Sequence, residues 1–299
     1  MGGRPAETRT HSYALRGTSR TGTMDVMDAL TSAEPKFVLA RVLGFGLFWI
    51  CVRLFASNTL FKHNAELKVR INQGTKTVIV IHSAFQAICA IWLVCYDPVI
   101  APLLRQVARR PASLDLTNVN SPGVSLLATI AAGEFGAQML HLRWWYEKPS
   151  DMLMVAHHTL SAIIWPIAVT SCRSQFFVAN MLFYELSTPF MGLLHFNKDN
   201  KTAYAVFGTL FTLMFVLARL CTIPITLYCF YLTWDTWTTP PPAGHPSVLP
   251  VGSGVLLTEK IAVPLPILLN LFWGRLVVSG YLKALTKSRG KPKEDPKKA

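Results

Sequence analysis

Seven apolar stretches, separated by polar breaks, run through this chain at residues 37–56, 77–96, 124–142, 152–170, 176–194, 204–232 and 261–282. Each comes close to or exceeds the roughly 20 residues that an α-helix needs to cross a hydrocarbon core of about 30 Å, and the longer ones cross with tilt. Backbone polar groups in lipid have to be satisfied within the chain, so the stretches predict helices and not strands. The expected fold is all-α, a polytopic transmembrane helical bundle of about seven membrane-spanning helices over residues 36–285. A disordered tail precedes it at 1–35 and a basic cytoplasmic tail follows at 286–299. Arg41 and Arg53 sit near opposite ends of the first stretch, where such side chains are expected to snorkel to the interface.

Composition agrees with this pattern. With 51% hydrophobic and 15% charged residues among 299, and a mean hydropathy of +0.35, the chain is too apolar for a soluble domain of its length. A formal charge of +13 would suit nucleic acid, but the bases lie in tails and short loops with no basic face on a soluble domain, which argues against that partner. The bases set orientation instead. Lys283, Lys287, Arg289, Lys291, Lys293, Lys297 and Lys298 place the carboxyl-terminal tail in the cytoplasm. The loops with Lys62, Lys68 and Arg70, with Arg143 and Lys148, and with Lys198 and Lys201 fall on the same side, whereas loop 233–259 has no base. Loop 97–121, with Arg105, Arg109 and Arg110, dissents: either Pro102, Leu103 and Leu104 belong to an interfacial segment or the spans number six. Trp144, Trp145 and Tyr146, and Trp234 and Trp237, are expected as interfacial anchors. Five cysteines, Cys51, Cys89, Cys95, Cys221 and Cys229, fall in apolar stretches as small buried hydrophobes. Arg4, Arg9, Arg16 and Arg20 mark the first tail, and Ala6 breaks the myristoylation pattern.

Polar residues inside the stretches are few. On insertion scales an Asp, Lys or Arg at the centre of a span costs about 2.5–3.5 kcal/mol, so intramembrane ionisable groups mark a functional site by default. His157 and His158 occupy the fourth stretch, behind Pro149, Ser150 and Asp151, which suit a helix start, and ahead of Pro166, which is expected to kink the helix. Neighbouring helical residues are about 100° apart, so the two rings do not share one metal in the i, i+4 manner. They are expected to face one cavity from two directions, one ring acting as base or nucleophile and the other orienting. On the next helix, with Asn180, lies Glu185, which is expected to be neutral or paired with Arg219, Arg275 or a histidine. Pro189 is expected to leave the Glu185 carbonyl free to line a cavity. The bland alternative has both rings bonding neighbouring helices, and for His82, Glu134 and His141 that structural role is the expected one. The other histidines, at 11, 63, 195 and 245, build no di-iron clusters and nothing specific supports haem, so no metal or other cofactor is expected.

Asp151, His157-His158-Thr159, Glu185-Leu186-Ser187-Thr188-Pro189-Phe190, Leu217-Ala218-Arg219 with Pro224, and Leu269-Asn270-Leu271-Phe272-Trp273 follow one another in that order. With them the chain resembles the TLC-domain family, which includes the ceramide synthases and the translocating-chain-associated membrane proteins, and it looks nearest to the small TLC-domain-containing proteins. The likeness covers residues 61–285. In ceramide synthases the histidine pair is followed by an HDxxD motif, whose place, counted without gaps, falls on Tyr184-Glu185-Leu186-Ser187-Thr188. Glu185 matches the first aspartate, while the histidine and the second aspartate are not kept. The resemblance implies a lipid-sized intramembrane cavity with a centre of His157, His158 and Glu185, around which Asn180, Thr188, Arg219, Asn270 and Arg275 are expected to bind substrate.

The expected function is that of an endomembrane protein, in the endoplasmic reticulum or a related compartment, that binds membrane lipids or fatty acyl chains and serves lipid metabolism or membrane lipid homeostasis. One alternative is an acyltransferase of ceramide-synthase type, with acyl-CoA as co-substrate, a histidine activating or carrying the acyl group, and Glu185 orienting the ring or taking a proton. The change to Thr188 leans the reading from catalysis to binding. A lipid transporter is the second alternative, disfavoured because repeated halves and paired broken helices are not evident in the sequence.

Overall fold

The computed structural model describes residues 26–111, 114–142, 149–247 and 251–289. The arginines of the first tail, the Trp144-Trp145-Tyr146 anchor, the lysines beyond Arg289 and the side chains of His141 and Asp151 lie outside the described residues. Among the described residues all regular structure is helical. The helices are α1 (Val26–Thr31), α2 (Pro35–Thr59), α3 (Leu67–Tyr96), α4 (Ile100–Ala108), α5 (Pro122–Leu142), α6 (Pro149–Thr170), α7 (Gln175–Phe183), α8 (Thr188–Phe196), α9 (Lys201–Phe215), α10 (Ile223–Leu232), α11 (Ser253–Ala262) and α12 (Leu265–Arg289).

These make 7 spans long and apolar enough to cross a membrane: α2, α3, α5, α6, and three composite spans, α7–α8, α9–α10 and α11–α12. The expected all-α bundle of seven crossings is therefore present. Two spans start earlier than the apolar pattern suggested, α3 at Leu67 and α11 at Ser253, because a helix continues through polar turns that hydropathy does not register. In the dissenting loop, Pro102, Leu103 and Leu104 lie in the short helix α4, which buries Ile100, Ala101 and Val107 while Arg105, Arg109 and Arg110 stay exposed.

Helix α5 is the centre of the bundle, with 67% of its span buried against 22–39% for the other six. It packs against α2, α3 and α6. The outward faces are apolar, carrying Leu43, Leu47 and Phe55 on α2, Ile81 and Ile88 on α3, and Leu268, Leu271 and Leu276 on α12, as suits a surface solvated by acyl chains. Lipid tails supply no hydrophobic drive between helices, so small residues that let backbones approach do much of the packing. Gly133 on α5 meets α2 this way: a Cβ added there would lie 2.7 Å from the Val42 carbonyl oxygen and 2.8 Å from the Gly46 nitrogen. Gly133→Val is expected to force α2 off α5 and to destabilise the bundle by about 1–3 kcal/mol, read as a fall in unfolding temperature in detergent. Gly136, where an added Cβ meets nothing within 4 Å, is the control, and equal losses at both positions would refute the contact.

A polar knot closes the α4 end of the bundle. Buried Arg173, between α6 and α7, donates from Nε to Glu259 Oε2 at 3.1 Å and from Nη2 to the Thr236 carbonyl at 3.2 Å, and also bonds Asn118 Oδ1. Ser171 Oγ donates to the other Glu259 oxygen at 3.0 Å, and Gln175 Oε1 accepts from the Ser121 backbone at 2.7 Å. In the adjoining loop, burial of Asp115 is more than offset by hydrogen bonds from Asn118 and Thr117, so its carboxyl is held below the usual range. Trp234 is exposed as an anchor would be, with the Lys260 ammonium 4.0 Å from its ring centroid, but Trp237 is fully buried between Phe177 and Phe230. The turn Trp234–Trp237 folds Trp237 back into the core, which composition does not reveal. All six cysteines are free; Cys172, outside the spans, is buried, which raises its thiol to about 11.

Candidate functional site

Prolines interrupt three of the seven spans, and the interruptions expose the groups that build a site. Pro189 has no N–H to offer the Glu185 carbonyl, and the chain tightens into a 3₁₀ turn over Tyr184–Ser187 in which the Thr188 N–H bonds Glu185 instead. The carbonyl left for other use is thus that of Tyr184, not the expected one of Glu185. Pro224, at the start of α10, is preceded by a π turn, Val216–Leu220, in which the Cys221 N–H reaches back to Val216 at 2.9 Å. That turn carries Arg219. In the last span Pro264 and Pro266 part α11 from α12, upstream of Asn270. Interrupted helices are therefore present in these three spans. Helix α6 runs unbroken through Pro166.

The three irregular segments meet His157. Its pocket is lined by Ser161, Tyr184, Glu185, Arg219, Asn270 and Trp273 among others, and encloses about 20 Å³. That is room for one water or one polar group, not the lipid-sized cavity expected. The His157 ring stands edge-on to Trp273 with centroids 5.5 Å apart. Arg219 is 8% exposed and is held by neutral oxygens. Its Nε donates to the Tyr184 carbonyl at 3.0 Å and to Ser187 Oγ at 3.1 Å, Nη1 to Asn270 Oδ1 at 3.0 Å, and Nη2 to Thr188 Oγ1 at 3.2 Å. Glu185 is near enough to act on this charge but makes no ion pair within 4 Å among the described residues. A fixed guanidinium, a carboxyl and an imidazole around one small space can grip a carbonyl, hydroxyl or amide of a lipid head, and can exchange a proton with it.

The expected residues divide as follows. His157, Glu185, Arg219 and Asn270 come together, and Thr188 joins them through Arg219. His158 turns the other way, its ring stacked on Phe135 at 4.8 Å and 5.4 Å from His157, so the pair does not face one cavity. Asn180 lies one layer off, donating to Thr226 Oγ1 at 2.5 Å and Tyr184 Oη at 3.3 Å. It lines a separate apolar cavity of about 170 Å³ with Phe176, Phe183, Ile225 and Cys229. Arg275 is exposed on α12 and takes no part in the pocket lining.

Arg53 does not snorkel. Arg53 is 1% exposed and bonds Glu134 Oε1, which also accepts from Gln138 Nε2 at 2.9 Å. Arg41 reaches back past the start of α2 to the carbonyls of Ala29 at 2.7 Å and Ser32 at 2.6 Å. The sequence offers Arg219 and Arg275 as counter-charges for the internal acids Glu185 and Glu134, and neither makes an ion pair with Glu134, which takes Arg53. Part of the signal was available: Glu134 is the one acid on the third predicted span and Arg41 and Arg53 are the bases on the first, each costly alone.

The family model for the TLC domain matches residues 72–279. A curated relative, TLC domain-containing protein 4 A of Dictyostelium discoideum, is 23% identical over 156 residues, which cover 50% of this chain and 55% of that protein. The chain thus spans about half the length of the curated relative it matches. The matched span contains every group of the His157 pocket as well as Glu134, but not Arg53.

Proposed function

The chain belongs to the TLC-domain family of multi-pass membrane proteins, and from that premise we propose that its bundle binds a membrane lipid or long-chain acyl group with the polar end against His157, Glu185, Arg219 and Asn270. The protein would serve lipid metabolism or membrane lipid homeostasis in an endomembrane such as the endoplasmic reticulum. The observation that carries this reading is the convergence of three interrupted spans on one imidazole at membrane depth. Irregular backbone there is tolerated where it lines a site or is buried in protein. The apolar cavity behind Asn180 supports the same reading, because it offers hydrocarbon-lined space one hydrogen-bonded layer from the polar pocket.

His157 and Glu185 sharing a pocket favours one further reading, acyl transfer from acyl-CoA through His157. A single experiment separates the two. His157→Gln is purified in parallel with the unaltered chain, and bound lipid is read by mass spectrometry. An amide hydrogen-bonds but neither carries an acyl group nor cycles a proton. Binding alone predicts that the variant keeps part of its lipid and part of its cellular lipid effect. Catalysis predicts full lipid occupancy with the cellular effect abolished. No lipid on the folded, unaltered protein would sink both.

A further inference from the structure

The other histidine of the pair faces a second group of polar side chains, between α2, α3, α5 and α6. Trp49 and Arg53 lie one turn apart on α2, His82 and Gln86 one turn apart on α3, and Glu134 sits on α5 beside Phe135. The group is contiguous. The Trp49 and His82 rings meet edge-on at 5.0 Å, His82 lies 6.3 Å from Phe135, and Phe135 stacks on His158 at 4.8 Å, while Arg53 bonds Glu134. All of it is buried: Arg53 is 1% exposed, His82 3%, Gln86 and Glu134 0%.

Eight polar atoms of this group find no hydrogen-bond partner among the described residues: Trp49 Nε1, Arg53 Nε and Nη1, both nitrogens of His82, Gln86 Oε1, Glu134 Oε2 and His158 Nδ1. A buried polar atom left unmet costs about 1–3 kcal/mol, so eight together would approach or exceed the ~5–15 kcal/mol by which a whole protein is stable. Something must bond them. An anion does not suit, because Glu134 already neutralises the Arg53 charge. A metal ion does not suit either, since no three His, Cys, Asp or Glu among the described residues are grouped to hold one. What the atoms share is a mixture of donors, on Trp49 and Arg53, with acceptors, on Gln86 and Glu134, and imidazole nitrogens able to be either. Water satisfies such a mixture, each molecule taking 2–4 partners.

We propose that Arg53, His82, Gln86, Glu134 and His158 form a second internal site, filled by ordered water, that reaches the free nitrogen of His158. The adjacent histidines then serve different solvents, His157 the lipid pocket and His158 the water. This does not depend on lipid occupancy of the first pocket.

Radiolytic footprinting of the full chain in phosphatidylcholine nanodiscs tests it, with water as the probe. Hydroxyl radicals made from bound water oxidise the side chains that touch it, and peptide mass spectrometry reads the sites. With each rate divided by the residue's intrinsic reactivity toward hydroxyl radicals, Trp49, His82 and His158 are expected to be oxidised several-fold faster than Leu93 and Leu182, which are buried in apolar surroundings. In His82→Phe, which keeps a ring between Trp49 and Phe135 but removes two polar atoms, labelling of Trp49 and His158 should fall several-fold. Gln86→Leu is the second variant should His82→Phe fail to fold, with the same loss expected. Labelling of the three wild-type residues no faster than that of the leucines overturns the proposal, and so does labelling unchanged in the folded variant. Lipid mass spectrometry on the same samples shows separately whether the His157 pocket is occupied.

Discussion

Glu134→Leu should cost the protein roughly 3–5 kcal/mol, because it leaves the Arg53 guanidinium buried with no counter-charge. Arg53 is 1% exposed and Glu134 0%, and both lie at the contact of α2 with the central helix α5. The measurement is thermal unfolding and yield in detergent, compared with Arg53→Met and with both changes together. Each single variant strands a charge, whereas the double variant leaves neither. The double variant should therefore be markedly more stable than the sum of the two single losses predicts, and it approaches the unaltered protein as apolar replacements of buried pairs often do. Simple additivity of the two losses would show that the ion pair is not what holds these helices.

Arg219→Leu is the second large effect, and it acts on the site as well as on stability. The guanidinium joins the Tyr184 carbonyl, Ser187, Thr188 and Asn270, so its removal frees acceptors on two different spans at once. Hydrogen bonds to charged groups contribute about 1.5–3 kcal/mol each, and the acceptors here lose a donor that ties the 3₁₀ turn to α12. The expected result is a fall in unfolding temperature together with loss of co-purified lipid. Arg219→Lys should restore much of the stability but little of the lipid binding, since one ammonium does not span four acceptors in a fixed fork. Full lipid retention in Arg219→Leu would place the headgroup elsewhere.

The spans were legible in the sequence because the requirement for about 20 apolar residues leaves few other readings. His157, Glu185, Arg219 and Asn270 were legible because polar residues are conspicuous in apolar runs, although hydropathy could not say which pair with which. The direction of the second ring was not: His157 and His158 differ by one helical step, and only packing against Phe135 and Trp273 decides which faces what. Arg53 was misread because its position near a stretch end suited snorkelling, and the close approach of α2 to α5 at Gly133 that draws it inward depends on a helix far along the chain. The breaks were half visible. Pro189, Pro224 and Pro264 could be read off, but the carbonyl that each frees depends on whether the helix re-forms as a 3₁₀ turn, a π turn or a gap.

Among the described residues, three of the four buried guanidinium groups have a consequence for the order in which this protein is made. Each waits for a partner that leaves the ribosome later: Glu134 comes 81 residues after Arg53, Glu259 comes 86 after Arg173, and Asn270 comes 51 after Arg219. Until then Arg53 and Arg173 lack their counter-charge and Arg219 lacks one of its four acceptors. A nascent chain halted before α11 would leave Arg173 without its counter-charge Glu259 and Arg219 without Asn270, and a chain truncated there could not settle into the same arrangement. Completion of α11 and α12 is thus the event that completes both polar clusters, and the charges act as a tally of how much of the polypeptide has arrived.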